Sequence, residues 1–308
     1  MKISVVVPVY GCKKALPELY KRLVKALEKI TAEYEIILVN DNCPQNSWEV
    51  IENICQKDKH VIGVELSKNF GQMKAILAGL DQITGDWIVV MDCDLQDDPE
   101  EIIKMYDKAQ EGYDVVFARR AERKDSFLKV FLSQIFYSIY SYATDGKYDS
   151  ALCNFSISKR QVIDEYLKMK EQHRAFVMYI KWLGFKQTSI DVEHHERFEG
   201  KSSYNLKKRI DMALELLTSQ SDKILRLFVK IGFLMSVFAF CMIIGLILYK
   251  FVADVSIGWT SIIATILLVG GMIITVLGII GIYVGNIFIQ TKDRPLYVVR
   301  QILNKDRE

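Results

Sequence analysis

The chain has 308 residues, half of them hydrophobic and a quarter charged, with 40 basic against 38 acidic side chains. That composition excludes a disordered or fibrous chain and allows about two domains of roughly 150 residues. A formal net charge of +2 also argues against a nucleic-acid partner held by a uniformly basic surface.

The first 120 residues alternate between two kinds of segment. Apolar runs Ile3 to Val9, Glu35 to Val39, Val61 to Leu66, Trp87 to Met91 and Val115 to Ala118 predict strands buried on both faces. Amphipathic stretches Leu16 to Ile30, Ser47 to Gln56, Gln72 to Ile83 and Pro99 to Ala109 predict the helices between them. Pro17 and Pro99 stand as helix-opening residues, the second behind Asp97 and Asp98, which are placed to cap. Repeated βα units predict an α/β fold with a mostly parallel sheet flanked by helices.

In such sheets ligands bind beyond the carboxyl ends of the strands. Asn40-Asp41-Asn42 follows the second strand, and Asp92-Cys93-Asp94 follows the fourth. Two carboxylates one residue apart suit one hard divalent cation, Mg2+ or Mn2+, with positions left for water and phosphate oxygens. No Gly-x-Gly-x-x-Gly follows the first strand and there is no Walker loop, which disfavours a dinucleotide enzyme or a P-loop NTPase. The six cysteines include no Cys-x-x-Cys pair, and they are expected to be reduced cytosolic thiols. The start MKISVVVPVY has too short an apolar run for a signal peptide. His194 and His195 are adjacent, so in a strand they point to opposite faces and joint metal ligation is awkward. The aromatic stretch Phe127 to Tyr142 is expected to pack as an apolar helix rather than to stack sugars.

The C-terminal part is different in kind. Ile231 to Tyr249 and Val255 to Thr291 are runs of 19 and 37 uncharged residues, and a bilayer core of about 30 Å needs roughly 20 in a helix. Two spans are expected, near 231–250 and 259–285. Lys223, Arg226 and Lys230 precede them and Lys292, Arg294, Arg300, Lys305 and Arg307 follow, so the positive-inside rule puts both termini in the cytoplasm. The expected organisation is a catalytic domain over 1–203, an amphipathic juxtamembrane segment over 204–229, a transmembrane hairpin over 230–291 and a basic tail over 292–308.

VVVPVY (5–10), VNDNCP (39–44), NFGQMKAILAG (69–79), GDWIVVMDCDLQDDP (85–99), WLGF (182–185), ERFEGKSSY (196–204) and RPLY (294–297) occur in an order that resembles the family 2 glycosyltransferases. The resemblance is to their polyprenyl-phosphate type, which includes dolichyl-phosphate mannosyltransferases and undecaprenyl-phosphate glucosyltransferases, and it covers nearly the whole chain.

The resemblance implies a GT-A fold, a nucleotide-sugar donor, most simply a UDP-sugar, and a polyprenyl phosphate acceptor at the cytoplasmic leaflet of the cell (inner) membrane. It implies that Pro8, Tyr10, Asp41, Asp92, Cys93, Arg197 and Ser202 bind the donor and that Asp92 and Asp94 hold the metal. Arg120, Arg123 and Arg174 match arginines that meet the acceptor phosphate. Asp94, Asn154 and Arg197 would carry the catalysis. A homo-oligomer is compatible with this type.

Two positions depart from the pattern. Asn40 replaces the first Asp of the usual pair, and Asn154 stands where many relatives of this type carry Asp. A phosphate acceptor has a second pKa near about 6 and is largely dianionic at neutral pH, so it needs no general base. The absence of Gln-x-x-Arg-Trp disfavours a processive synthase. An enzyme acting on a saccharide already linked to a lipid diphosphate and a noncatalytic membrane scaffold are the competing expectations.

Overall fold

In the computed structural model, which describes residues 1–120, 151–171, 174–193 and 258–305 with scattered positions between them, the βα alternation is present from the first residues onward. Strand β1 (Ile3–Val9), helix α1 (Leu16–Leu27), β2 (Tyr34–Asn40), α2 (Ser47–Lys57), β3 (Val61–Leu66), α3 (Gln72–Leu80), β4 (Trp87–Val90), α4 (Glu101–Gln110) and β5 (Val115–Arg120) follow in order. Strands β1 and β3 have the expected bounds. Helices α1 and α3 stop short of Ile30 and Ile83, because the backbone turns there with Ile30 N donating to the Leu27 carbonyl and Gln82 N to the Gly79 carbonyl.

The sequence reading left three strands unassigned: β6 (Leu152–Lys159), β7 (Gln187–Val192) and β8 (Val299–Leu303). Helices α5 (Arg160–Lys168) and α6 (Phe176–Trp182) lie between the first two. All eight strands form one sheet in the order β7-β5-β6-β4-β1-β2-β3-β8. The β3-β2-β1-β4 block is parallel. Antiparallel pairs join β6 to β4 and to β5, and β8 to β3, so the sheet is mixed.

Continuous apolar runs arise because the sheet is covered on both faces. Val5, Val7 and Val9 pack with Leu16, Leu19, Trp48, Ile102 and Met105, while Val6 packs on the other face with Ala75, Ile76, Val162 and Phe176. Gly79 permits close contact there, since a Cβ at that position would stand 2.4 Å from Val6 Cγ1.

Within the expected basic tail, residues 299–303 form the edge strand β8, running antiparallel to β3 with Val299 opposite Leu66. Asn304 Nδ2 donates to the carbonyls of Cys55, Asp58 and Val61. Ahead of β8 lies the 33-residue helix α7 (Trp259–Thr291), about 50 Å long at 1.5 Å per residue. Its segment Leu268–Thr291, with mean hydropathy 2.3 and none of it buried, is long and apolar enough to cross a membrane. Helical positions with exposed apolar side chains also occur between 230 and 248, among them Phe233, Leu234, Phe238, Phe240 and Leu248. The rest of the expected first span, the aromatic stretch 127–142 apart from Ser138 and Ser141, and the segment 204–229 lie outside the described residues.

Candidate active site

The carboxyl ends of β1, β2 and β4 are neighbours in the sheet, which brings Tyr10, Asp41 and Asp92 to one edge. Pro8 is buried within β1 opposite Val39, and Tyr10 is exposed at its end. Asp41, buried, accepts the backbone N–H of Phe70 at 2.7 Å on Oδ1 and that of Gly71 at 2.9 Å on Oδ2. The carboxylate thus ties the start of α3 to the end of β2. Gly71 is the residue that permits this turn, with φ +90. Burial pushes the Asp41 carboxyl above its ordinary pKa, against the opposing effect of the two backbone donors.

The Asp92 carboxyl is pushed up to about 6, by burial first and then by the negative charges of Asp94 and Asp97. Arg120 and a 2.7 Å hydrogen bond from Gln72 Nε2 act in the opposite direction. Burial accounts for most of this rise, and the added push from Asp94 and Asp97 marks a local excess of negative charge. Gln72 escaped the sequence reading, although it lies inside the quoted NFGQ motif.

Arg120 enters from the end of β5 and its Nη2 donates to Asp97 Oδ2 at 3.0 Å. Its Nε is buried with no hydrogen-bond partner. Cys153, beside the same charges, has its thiol pushed up to about 12, by burial and then by Asp97. Asn154 follows it in β6, whose antiparallel register with β4 pairs Val90 with Ser156. The topology therefore delivers Asn154 and Arg120 to the edge that carries Asp92 and Asp94.

Two expectations need correction. Neither Asp97 nor Asp98 caps α4 with its side chain; each has a stronger, charged partner. Asp97 pairs with Arg120, and Asp98 accepts from Arg22 on Oδ1 and meets His195 Nε2 at 2.9 Å on Oδ2. Burial acts to raise the Asp98 pKa, but Arg22 and His195 outweigh it and hold it low.

Arg174 is buried, its Nη1 donates to the Tyr166 carbonyl at 2.9 Å and its guanidinium lies 5.2 Å from the Tyr166 ring centroid, so it packs against α5.

The cysteines are not all reduced. Cys12 and Cys93 form a disulfide, while Cys43, Cys55, Cys153 and Cys241 are free. Spacing along the chain conceals this pairing, because adjacent parallel strands β1 and β4 bring together loops 81 residues apart.

Arg123, His194, Arg197 and Ser202 lie outside the described residues. His195, next to that segment, is held by Asp98, by its own N–H donating to the Gln96 carbonyl, and by Gln96 Nε2 donating to its carbonyl. Among the described residues no group of three or more His, Cys, Asp or Glu side chains is arranged to hold a metal ion.

Comparison with known sequences settles the family. The sequence model described as Glycosyl transferase family 2 matches residues 4–168. The chain belongs to glycosyl transferase family 2. It is 37% identical to an uncharacterized glycosyltransferase of Bacillus subtilis, over 98% of this chain and 94% of that protein. It is 32% identical to the undecaprenyl-phosphate 4-deoxy-4-formamido-L-arabinose transferase of Proteus mirabilis, over 100% of this chain and 97% of that one. The prophage bactoprenol glucosyl transferase homolog of Escherichia coli is 32% identical over 98% and 99% of the two chains. Among solved structures, S. aureus TarS 1-349 in complex with UDP-GlcNAc shares the fold, with a TM-score of 0.50 at 18% identity, over 71% of this chain and 66% of that one. This family 2 member is thus a glycosyltransferase with a GT-A-like mixed sheet.

Proposed function

We propose that this family 2 enzyme is anchored in the cell membrane by a two-helix hairpin, with both termini and the catalytic domain in the cytoplasm. There it transfers one sugar, with inversion, from a nucleotide-sugar, most simply a UDP-sugar, to undecaprenyl phosphate. The observation that carries the reading is the path of the chain from the apolar helix into the sheet. Helix α7 ends at Thr291, Gln290 Nε2 donates to the Lys170 carbonyl, Ser67 N donates to the Val298 carbonyl, and β8 enters beside the carboxyl end of β3. The membrane helix therefore joins the sheet at the edge where Asp41, Asp92 and Asp94 lie, so a lipid headgroup and a soluble donor would meet at one site. The names of the Proteus and Escherichia relatives support the same acceptor.

The residues present suit a divalent cation. Asp92 and Asp94 would supply hard oxygen ligands, and nearby Asp97 adds negative charge. When bound, Mg2+ or Mn2+ would offset charge on the departing diphosphate. Asp41 and its loop would hold the base beside Pro8 and Tyr10, and Arg197 and Ser202 would close over the phosphates. Arg120 and Arg123 would orient the acceptor phosphate, whose oxygen attacks the anomeric carbon directly. Asn154, at the same edge, is placed to orient the sugar or the phosphate.

The test is incubation of detergent-purified protein with undecaprenyl phosphate, Mn2+ or Mg2+ and a panel of radiolabelled nucleotide sugars. A mild-acid-labile labelled lipid, abolished by chelator and by Asp94→Asn, is the expected result. Nucleotide binding without any labelled lipid would overturn the acceptor assignment and favour a glycan already attached to a lipid diphosphate.

A further inference from the structure

The loops after β1 and β4 are joined covalently, through Cys12 and Cys93, whose Cα atoms are 6.2 Å apart. Their strands are already paired in parallel register from Ile3–Trp87 to Val6–Val90, and both cysteines belong to the hydrophobic cluster under α1. The sheet therefore holds the two strands together without the bond. What the bond adds is local, and its location is specific: Cys93 stands between Asp92 and Asp94, and Cys12 follows Tyr10 and Gly11 at the end of β1.

Side chains in this loop alternate. Met91, Cys93 and Leu95 point inward and are buried, while Asp92 and Asp94 are partly exposed. Fastening Cys93 to the body of the protein therefore fixes the direction of both carboxylates. Leu95 has φ 55, a left-handed conformation that a non-glycine residue keeps only where its surroundings impose it. The disulfide anchors the chain two residues earlier.

We propose that Cys12 and Cys93 form a thiol–disulfide switch on donor affinity: the disulfide holds Asp92 and Asp94 ready for the donor diphosphate and its cation, and the dithiol form releases the loop. The proposal rests on the donor reading above. Disulfides in reducing compartments of mesophiles are usually transient and redox-sensing. The reductant is a cellular dithiol. One of its thiolates attacks Sγ of Cys93, the more exposed partner at 6% against 2% for Cys12, and Cys12 leaves as a thiolate and takes up a proton. The reductant's second thiolate then attacks the mixed disulfide, closes its own disulfide and releases Cys93 as a thiolate. Two electrons pass to the protein and the reductant is oxidised by two.

Linkage makes the effect reciprocal: if the disulfide tightens donor binding, the bound donor must protect the disulfide against reduction by the same factor. A coupling of about tenfold, within the usual range, lowers the midpoint potential by about 30 mV for this two-electron couple.

The experiment poises the full chain in lipid nanodiscs with reduced and oxidised dithiothreitol, traps thiols with N-ethylmaleimide for mass analysis, and measures UDP binding with Mn2+ by calorimetry. The expected result is about tenfold tighter UDP binding by the oxidised form, with Cys12 and Cys93 becoming alkylated together and at lower potential when UDP and Mn2+ are present. Cys12→Ser, with Cys12→Ala as a second replacement, should bind at the weaker level whatever the poise. Equal affinity in both states, tighter binding by the dithiol, or alkylation of both cysteines at every poise would each overturn the switch. UDP binding in neither state, with the crosslink still forming and breaking, would overturn the donor reading and the switch with it; equal UDP binding in both states overturns the switch alone.

Discussion

Arg120 Nη2 and Asp97 Oδ2, 3.0 Å apart, join the end of β5 to the loop that carries Asp92 and Asp94. Asp97 is 3% exposed and Arg120 is half-buried, so neither charge is solvated well enough to stand alone. Breaking such a pair from one side costs about 3 kcal/mol, because the other charge stays buried. Arg120→Met should therefore lower the melting temperature of the detergent-solubilised protein, and Asp97→Asn together with Arg120→Met should recover part of the loss. A double variant no more stable than Arg120→Met would show that the two side chains are not coupled.

The raised pKa of Asp92 has two consequences of opposite sign. On the proposed function metal and donor binding need the carboxylate, so kcat/KM should fall as pH drops through about 6. Folding, in contrast, favours the neutral acid: the group's pKa is higher in the native state than in the unfolded chain. The stability this contributes is fully present below the unfolded value, near about 3.9, and lost as pH rises through about 6. Asp92→Asn should abolish transfer in the presence of metal, yet at pH 7.5 without metal it should raise stability by about 1 kcal/mol, after allowance for partial exposure. Gln72→Leu, which removes a donor to the carboxylate, should move the acid limb of the rate profile to higher pH. An unshifted limb would mean that Gln72 does not influence the titrating group.

The parallel half of the fold was legible in the residues because buried parallel strands carry near-continuous apolar runs, and β1 to β4 do, with Ser4, Glu35 and Glu65 as buried polar interruptions. Strand β8 was not: VRQIL has charge and amide on its exposed positions, which is the composition of a tail until β3 offers it an edge. Strands β6 and β7 escaped for a related reason, since Leu152 to Asn154 and much of Gln187 to Asp191 are only partly buried. At the site, Asp41, Asp92 and Asp94 could be found because they follow strands. Gln72, the Asp97–Arg120 pair and the Cys12–Cys93 bond could not, because each depends on which strands become neighbours.

Asp41 gives a test of how the nucleotide end of the site is built. Both its oxygens accept backbone N–H groups, from Phe70 and from Gly71. In Asp41→Asn the new amide nitrogen would face one of those donors, a mismatch that costs about 1–3 kcal/mol when buried. The loop ahead of α3 should loosen, visible as faster hydrogen exchange at Phe70 and Gly71, and UDP affinity should fall. Unchanged exchange with weakened UDP binding would assign Asp41 to the ligand alone.

Asn304 makes three of the bonds that hold the strand following the apolar helix α7 to the sheet. Its amide reaches the carbonyls of Cys55, Asp58 and Val61 at 2.6, 3.1 and 2.9 Å, closing the end of β8 over the turn between α2 and β3. Asn304 itself has φ 57, a conformation that asparagine tolerates better than most residues. Replacement by Ala removes the donor and adds a conformational penalty, together about 2 kcal/mol. Asn304→Gly removes the donor and keeps the conformation, so it should be the milder change. If β8 is what registers the apolar helix against the site, Asn304→Ala should raise KM for the lipid acceptor while leaving UDP affinity intact, since Asp41, Asp92 and Asp94 lie on strands β8 does not touch. Equal losses for both substrates would instead mean that the edge strand supports the whole sheet.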